Sequence, residues 1–126
     1  MVIGIGLDLV EIARVEQALA RHGERFVRRL MDEAEAGRLP ADPVARGVAL
    51  ALAVAGKEAA SKALGTGWSN GVAWRQVVVE PGPPSSIMLV GRAAEVARAR
   101  GSSGPFVRAR VYREGAMAVA EALLLR

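Results

Sequence analysis

Cysteine is absent from the 126 residues, which excludes disulfides, thiolate metal sites and thiol nucleophiles. Histidine occurs once, as His22. A histidine-rich metal cluster is therefore excluded, and a Ser-His-Asp triad would need His22 itself as its base. Lying between Arg21 and Gly23 at the end of a predicted helix, His22 reads as a surface residue. Aromatic residues amount to only 4%, so any core must be built of Ala, Val and Leu. Long apolar runs are missing too. The longest stretch, Val48 to Gly56, falls far short of the roughly 20 residues that span a bilayer. The N-terminus starts apolar, but Asp8 and Glu11 interrupt it, and no basic leader or cleavage pattern marks a signal peptide. These absences predict a soluble, cytoplasmic protein with no membrane attachment.

What is present suits one compact domain over residues 1–126: the length allows little more, and 52% hydrophobic residues can fill a core. The net charge of +4 and sequence pI near 10.6 favour acidic partners, whether a phosphorylated ligand, an acidic protein, anionic lipid or nucleic acid. Aromatics are few and no nucleic-acid motif appears, which argues against the last of these.

Residues 2–9 read as a buried strand. Side chains alternate along a strand, so Ile3, Ile5, Leu7 and Leu9 point one way and Gly4, Gly6 and Asp8 the other. The second face is bare until Asp8, a carboxylate with open space beside it. A helix is predicted from about 11 to 22, ended by Gly23. It would place Ile12, Val15 and Leu19 on one face and begin a basic stripe of Arg14, Arg21 and Arg25, with Phe26 and Arg29 one turn on. Pro40 and Pro43 break the chain before the longest helical pattern, Val44 to Leu64, which Gly65 and Gly67 stop. Strands are predicted over Trp74–Glu80, Ser86–Val90 and Phe106–Tyr112, and a short helix over Arg92–Arg100. Ala116–Leu125 fits a helix by composition and a buried strand by length.

Three constellations carry possible chemistry. Asp8 ends a bare strand face, and Glu58 lies deep in the long helix. Two carboxylates beside a phosphate-bearing substrate are what Mg²⁺ needs, since it takes oxygen ligands and keeps several waters. The plainer alternative pairs Glu58 with Lys62 at i,i+4 and makes Asp8 a helix cap. Second, in KEAASKALGTG at 57–67, Lys57 and Ser61 share one helix face and Glu58 and Lys62 the next. Lysines and a hydroxyl beside a carboxylate suit phosphate, and an ordinary solvated stripe would look the same. Third, the arginine stripe suits an acidic helical partner or mere solubility.

Together these segments resemble the holo-acyl-carrier-protein synthases, the small phosphopantetheinyl transferases. GIGLDLVEIARV near the start is similar to that family's GIGxDIVEIxRI. Arg25-Phe26, Leu30 and Glu35 match a following Arg-Phe, leucine and acidic residue. AGKEAASKALGTG at 55–67 matches AAKEAxSKALGTG, and Trp74, Val77–Val79 and Gly82-Pro83-Pro84 match the tryptophan, strand and turn that follow. The likeness runs over about residues 1–92. It implies an α+β fold, with a small antiparallel sheet packed with one long and two shorter helices, and a homotrimer with each active site between two subunits. It implies Mg²⁺ held by Asp8 and Glu58, and coenzyme A as substrate. Lys57, Ser61, Lys62 and Gly65 would contact the coenzyme or tune the site, with Glu58 and Lys62 carrying catalysis. Arg14, Arg21, Arg25, Phe26 and Arg29 would grip an acyl carrier protein. The implied reaction moves 4'-phosphopantetheine from coenzyme A to a carrier serine and releases adenosine 3',5'-bisphosphate.

The sequence departs from that pattern at three places. Leu52-Ala53-Val54 stands where the family carries Gly-Arg-Trp or Gly-Arg-Phe, so a coenzyme-contacting arginine is missing. Pro83 replaces the lysine of a Gly-Lys-Pro turn. Ala109–Tyr112 falls where a late Ser-x-Ser-His is expected. Arg108, Arg110 or Arg113 could compensate with positive charge. The departures leave open a catalytically silent homologue that binds carrier or coenzyme without transfer.

Overall fold

The computed structural model describes residues 1–126. Strand β1 (Val2–Glu11) leads into α1 (Ile12–His22), α2 (Glu24–Leu30), the single turn α3 (Glu33–Ala36) and the long α4 (Pro43–Leu64). A 3₁₀ turn (Trp74–Gln76), β2 (Val77–Glu80), β3 (Ser86–Leu89), α5 (Gly91–Ala99), β4 (Phe106–Glu114) and β5 (Met117–Leu125) complete the chain. The five strands form one antiparallel sheet in the order β1-β5-β4-β3-β2. The ambiguous C-terminal segment is thus a strand. Its alanines serve the sheet because Ala118, Ala120 and Ala122 are fully buried where a larger side chain would hold α4 away.

α4 begins on Asp42, whose carboxylate accepts from the Ala45 amide at 2.9 Å, with Pro43 in the first turn, where its missing N–H costs nothing. It ends at Gly65, in the left-handed region at φ 82°. Between these caps, Ala55, Ala59, Ala60 and Ala63 are buried, so the helix lies very close to the sheet. A Cβ on Gly6 would stand 1.7 Å from the Ala59 carbonyl oxygen, and one on Gly4 2.0 Å from that of Ala63. The two glycines exist for this contact. Arg100, just past α5, clamps the same seam by donating to Ala63 O at 2.8 Å and Ile3 O at 2.7 Å.

This packing reverses the expectation for β1. The bare glycine face is the buried one, filled by the backbone of α4 rather than open. Its apolar face looks outward, with Ile5, Leu7 and Leu9 exposed by 69, 56 and 60%. The first helix ends at Gly23 (φ 59°) as expected, and the chain restarts there as α2, so the basic residues lie on two helices.

Candidate active site

Asp8 follows Gly4 and Gly6 on the α4 side of β1, and its side chain is only 15% exposed. The Lys62 ammonium reaches it from α4, donating to Asp8 Oδ1 at 2.9 Å and to the Leu7 carbonyl at 3.0 Å. Glu58 precedes Lys62 by four residues on the same side of the helix, and the lysine stem leans back over that turn because helical side chains tilt towards the N-terminus. Asp8 and Lys62 therefore meet at the β1–α4 seam, with Glu58 one turn back on the same side of α4. Both plainer alternatives fall away: Lys62 pairs across to Asp8 rather than with Glu58, and α1 starts without a side-chain cap. Glu58 is half-buried and forms no ion pair.

The neighbouring face of α4 is placed differently from its expected coenzyme contact. Lys57 is fully buried. Its ammonium donates to Glu35 Oε1 at 2.8 Å, to Trp74 O at 3.0 Å and to Val77 O, while Glu35 Oε2 accepts from the Val79 amide at 2.9 Å. Burial pushes the Glu35 carboxyl up and the Lys57 ammonium down, each partly countered by the other's charge. The hydrogen bonds decide for the charged pair, since three donations require an ammonium. Lys57 has no hydrogen left for a phosphate. Ser61 is also buried and donates to the Glu58 carbonyl at 2.8 Å. Neither side chain is turned towards an incoming ligand: Lys57 fixes α4 to α3 and β2, and Ser61 fixes the turn that carries Glu58. Glu35 was visible in the sequence only as the acidic member of a motif, and nothing there signalled a buried partner. Gly65 is exposed at the end of α4, beside Arg100.

Arg14, Arg21, Arg25 and Arg29 are all exposed, and Phe26 packs partly against the core. His22, Arg25, Phe26 and Arg29 line a depression of about 310 Å³. His22 is indeed at the surface. A larger cleft of about 480 Å³ opens between Ala49 and Ala53 of α4 and the Pro81–Pro84 turn, with Arg38 at its edge. Arg38 is a cation that sequence reasoning passed over; it stands 3.7 Å from Glu80. Of the three late arginines, Arg108 and Arg110 fall on the outward sheet face, where Arg110 stands 3.5 Å from Glu121 and 5.2 Å over the Tyr112 ring. Arg113 alternates onto the face that carries Val111 and Asp8, and its Nε donates to Gly115 O at 2.8 Å.

The donor set fits Mg²⁺. Two carboxylates on facing elements, with no third acidic or histidine ligand beside them, suit a hard cation that fills its remaining positions with water and substrate phosphate. The Lys62 ammonium lies between the Asp8 carboxylate and the Leu7 carbonyl, two oxygen donors on the same strand.

An α+β chain with one long helix laid on an antiparallel sheet and acidic side chains at the seam defines the class of protein. Residues 4–114 match the model of the 4'-phosphopantetheinyl transferase superfamily, and the chain belongs to that family. It is 49% identical over 98 residues to the holo-[acyl-carrier-protein] synthase of Chelativorans sp. (strain BNC1), covering 75% of this chain and 72% of that one. The crystal structure of the synthase from Neisseria meningitidis covers 100% of both chains with a TM-score of 0.80 at 24% identity, a likeness of fold. The holo-(acyl-carrier-protein) synthase from Bacillus anthracis str. Ames, in complex with CoA (3',5'-ADP), is 28% identical and covers 98% of this chain and 96% of that one, with a TM-score of 0.69. No helix is long and apolar enough to cross a membrane.

Proposed function

We propose that this protein transfers 4'-phosphopantetheine from coenzyme A to a serine of an apo acyl carrier protein in the cytoplasm, releasing adenosine 3',5'-bisphosphate. The observation that carries this reading is the meeting of Asp8 and Lys62 at the β1–α4 seam, with Glu58 one turn away on the same side of α4. A silent binder would have no need of two carboxylates and a lysine gathered along one seam.

Asp8 and Glu58 would hold Mg²⁺, which supplies neutralisation of the charge developing on the pyrophosphate. Glu58, with no partner inside the chain, is placed to accept the proton of the carrier serine. Lys62 supplies a mobile positive charge for a phosphate oxygen, and Lys57 and Ser61 hold the helix that presents both groups. The cleft between Ala53 and Pro83 takes the adenosine end of the coenzyme. It lies where the family's arginine and lysine are missing, and Arg38 at its edge provides a cation in their place. Arg113 is the late arginine whose strand face suits it to substitute for the absent histidine. The exposed arginines of α1 and α2, with Phe26, form the face for an acidic helix of the carrier, with no role for nucleic acid.

The outward face of the sheet supports the implied homotrimer. Ile5 stands opposite Leu123, Leu7 opposite Glu121 and Leu9 opposite Val119, with Arg108, Arg110 and Tyr112 of β4 beyond. Exposed apolar side chains in such a block are characteristic of an interface between subunits.

The changes at Leu52-Ala53-Val54 and at Ala109–Tyr112 favour one other reading, a homologue that binds carrier or coenzyme without transfer. Intact-mass spectrometry of an apo carrier incubated with the protein, coenzyme A and Mg²⁺ separates the two. Transfer adds one phosphopantetheine to the carrier, and Glu58→Gln slows it by at least about a hundredfold, as loss of a proton acceptor does. Unchanged mass with several carriers would leave the silent binder.

A further inference from the structure

The ion pair between Lys62 and Asp8 is asymmetric. It is half-exposed on the lysine side and nearly buried on the carboxylate side, at 50 and 15%. It crosses from α4 to β1, although Glu58 offers Lys62 a carboxylate one helical turn away on its own helix. The ammonium thereby occupies the oxygen-lined spot between Asp8 Oδ1 and Leu7 O. A divalent cation ligated by Asp8 would sit at roughly 2.0–2.1 Å from its oxygen. An ammonium held at 2.9 Å from the same carboxylate would then face a dication at close range, with Coulomb repulsion in place of attraction.

We propose that Lys62 is a resident counter-ion which the divalent metal displaces from Asp8, so that metal loading frees the lysine for the phosphates of the incoming substrate. The inference rests on the reading of Asp8 and Glu58 as metal ligands. Before loading, Lys62 neutralises Asp8 and keeps β1 docked on α4. Once the metal replaces it, the flexible stem can swing its charge over the seam towards the open side, where a pyrophosphate would arrive. Asp8 thus carries a positive partner in both states, and the site never presents two unpaired carboxylates.

The composition makes this exchange directly observable. Lys57 and Lys62 are the only lysines in the chain, and Lys57 is wholly buried. Amine-reactive labelling of the folded protein, followed by peptide mass spectrometry, therefore reports Lys62 alone among the lysines. Titrating in Mg²⁺ without coenzyme or carrier should speed labelling of Lys62 several-fold, and the N-terminal amine serves as the internal reference. In parallel, calorimetry should show Lys62→Met binding Mg²⁺ about two- to fivefold more tightly than the parent, the fold-change corresponding to one half-exposed ion pair. Lys62→Arg keeps the competing charge and should show no such gain.

If Mg²⁺ binds while labelling of Lys62 stays constant or slows, the exchange is wrong and Lys62 is a fixed support of Asp8. Weaker Mg²⁺ binding by Lys62→Met would likewise overturn it. If the parent binds no Mg²⁺ and Asp8→Asn changes nothing, the metal reading itself fails and the exchange falls with it.

Discussion

At the scale of single residues, Lys57 shows how a motif position can serve an active site without touching substrate. Its three hydrogen bonds join α4 to α3, to the 3₁₀ turn and to β2, beside the residue that carries the unpartnered carboxylate. Removing one partner of a buried ion pair strands the other, which typically costs about 3–5 kcal/mol. Lys57→Met should lose that much in urea denaturation, and Lys57→Met with Glu35→Leu should recover most of it. The sign of the pH effect follows from Glu35. Burial holds its carboxyl above the ordinary 4.5, and Lys57 is the main opposing influence. In Lys57→Met the upward shift grows. The folded state then keeps its proton more tightly than the unfolded one, so stability is highest below the unfolded value and falls as pH rises through the folded value. The variant's deficit should therefore be larger at about pH 8 than at about pH 5. A deficit independent of pH would show that Glu35 finds another partner.

At the scale of elements, the contact of β1 with α4 sets the site. Gly4 and Gly6 allow the approach, Arg100 clamps its far end, and Asp8 emerges where the helix turns its Glu58–Lys62 side to the strand. A methyl group on Gly6 would strike the backbone at Ala59, which no side-chain rotation relieves. Gly6→Ala should cost at least about 3 kcal/mol, at the upper end of overpacking effects. It should also weaken Mg²⁺ binding, because moving β1 separates Asp8 from Glu58. A variant with parental stability and metal affinity would show that the seam is more compliant than its geometry indicates. The strand, the helix and both glycines were legible in the sequence, as was the sharing of one helix face by Glu58 and Lys62. Which face of β1 is buried was not. Apolar alternation pointed to Ile5, Leu7 and Leu9, because it assigns the larger side chains inward and takes no account of a helix backbone as the packing partner.

At the scale of the whole molecule, those three side chains are the strongest mark of an assembly. Each is more than half exposed, and their rows continue across β5 and β4. In the proposed homotrimer this face is covered. Leu7→Glu would place a carboxylate opposite Glu121, adding like-charge repulsion to lost apolar burial. Sedimentation should then show monomer where the parent is trimeric, with the circular dichroism of the fold retained. A parent that sediments as a monomer at all concentrations would remove the trimer.

By itself the sequence determined most of the helices and strands, the helix stops at Gly23 and Gly65, the sharing of one helix face by Glu58 and Lys62, and the family these place the chain in. All of these are written in local spacing, where glycine, proline and side-chain periodicity act over a few residues. The tertiary structure alone decided that the C-terminal segment is a strand, since its alanines fit a helix in isolation and become sheet residues only under α4. It alone buried Lys57 against Glu35, 22 residues away, and turned Lys62 to Asp8, 54 residues away. Such pairings depend on which elements pack together, and no spacing along one helix encodes the partner that a neighbouring strand will present.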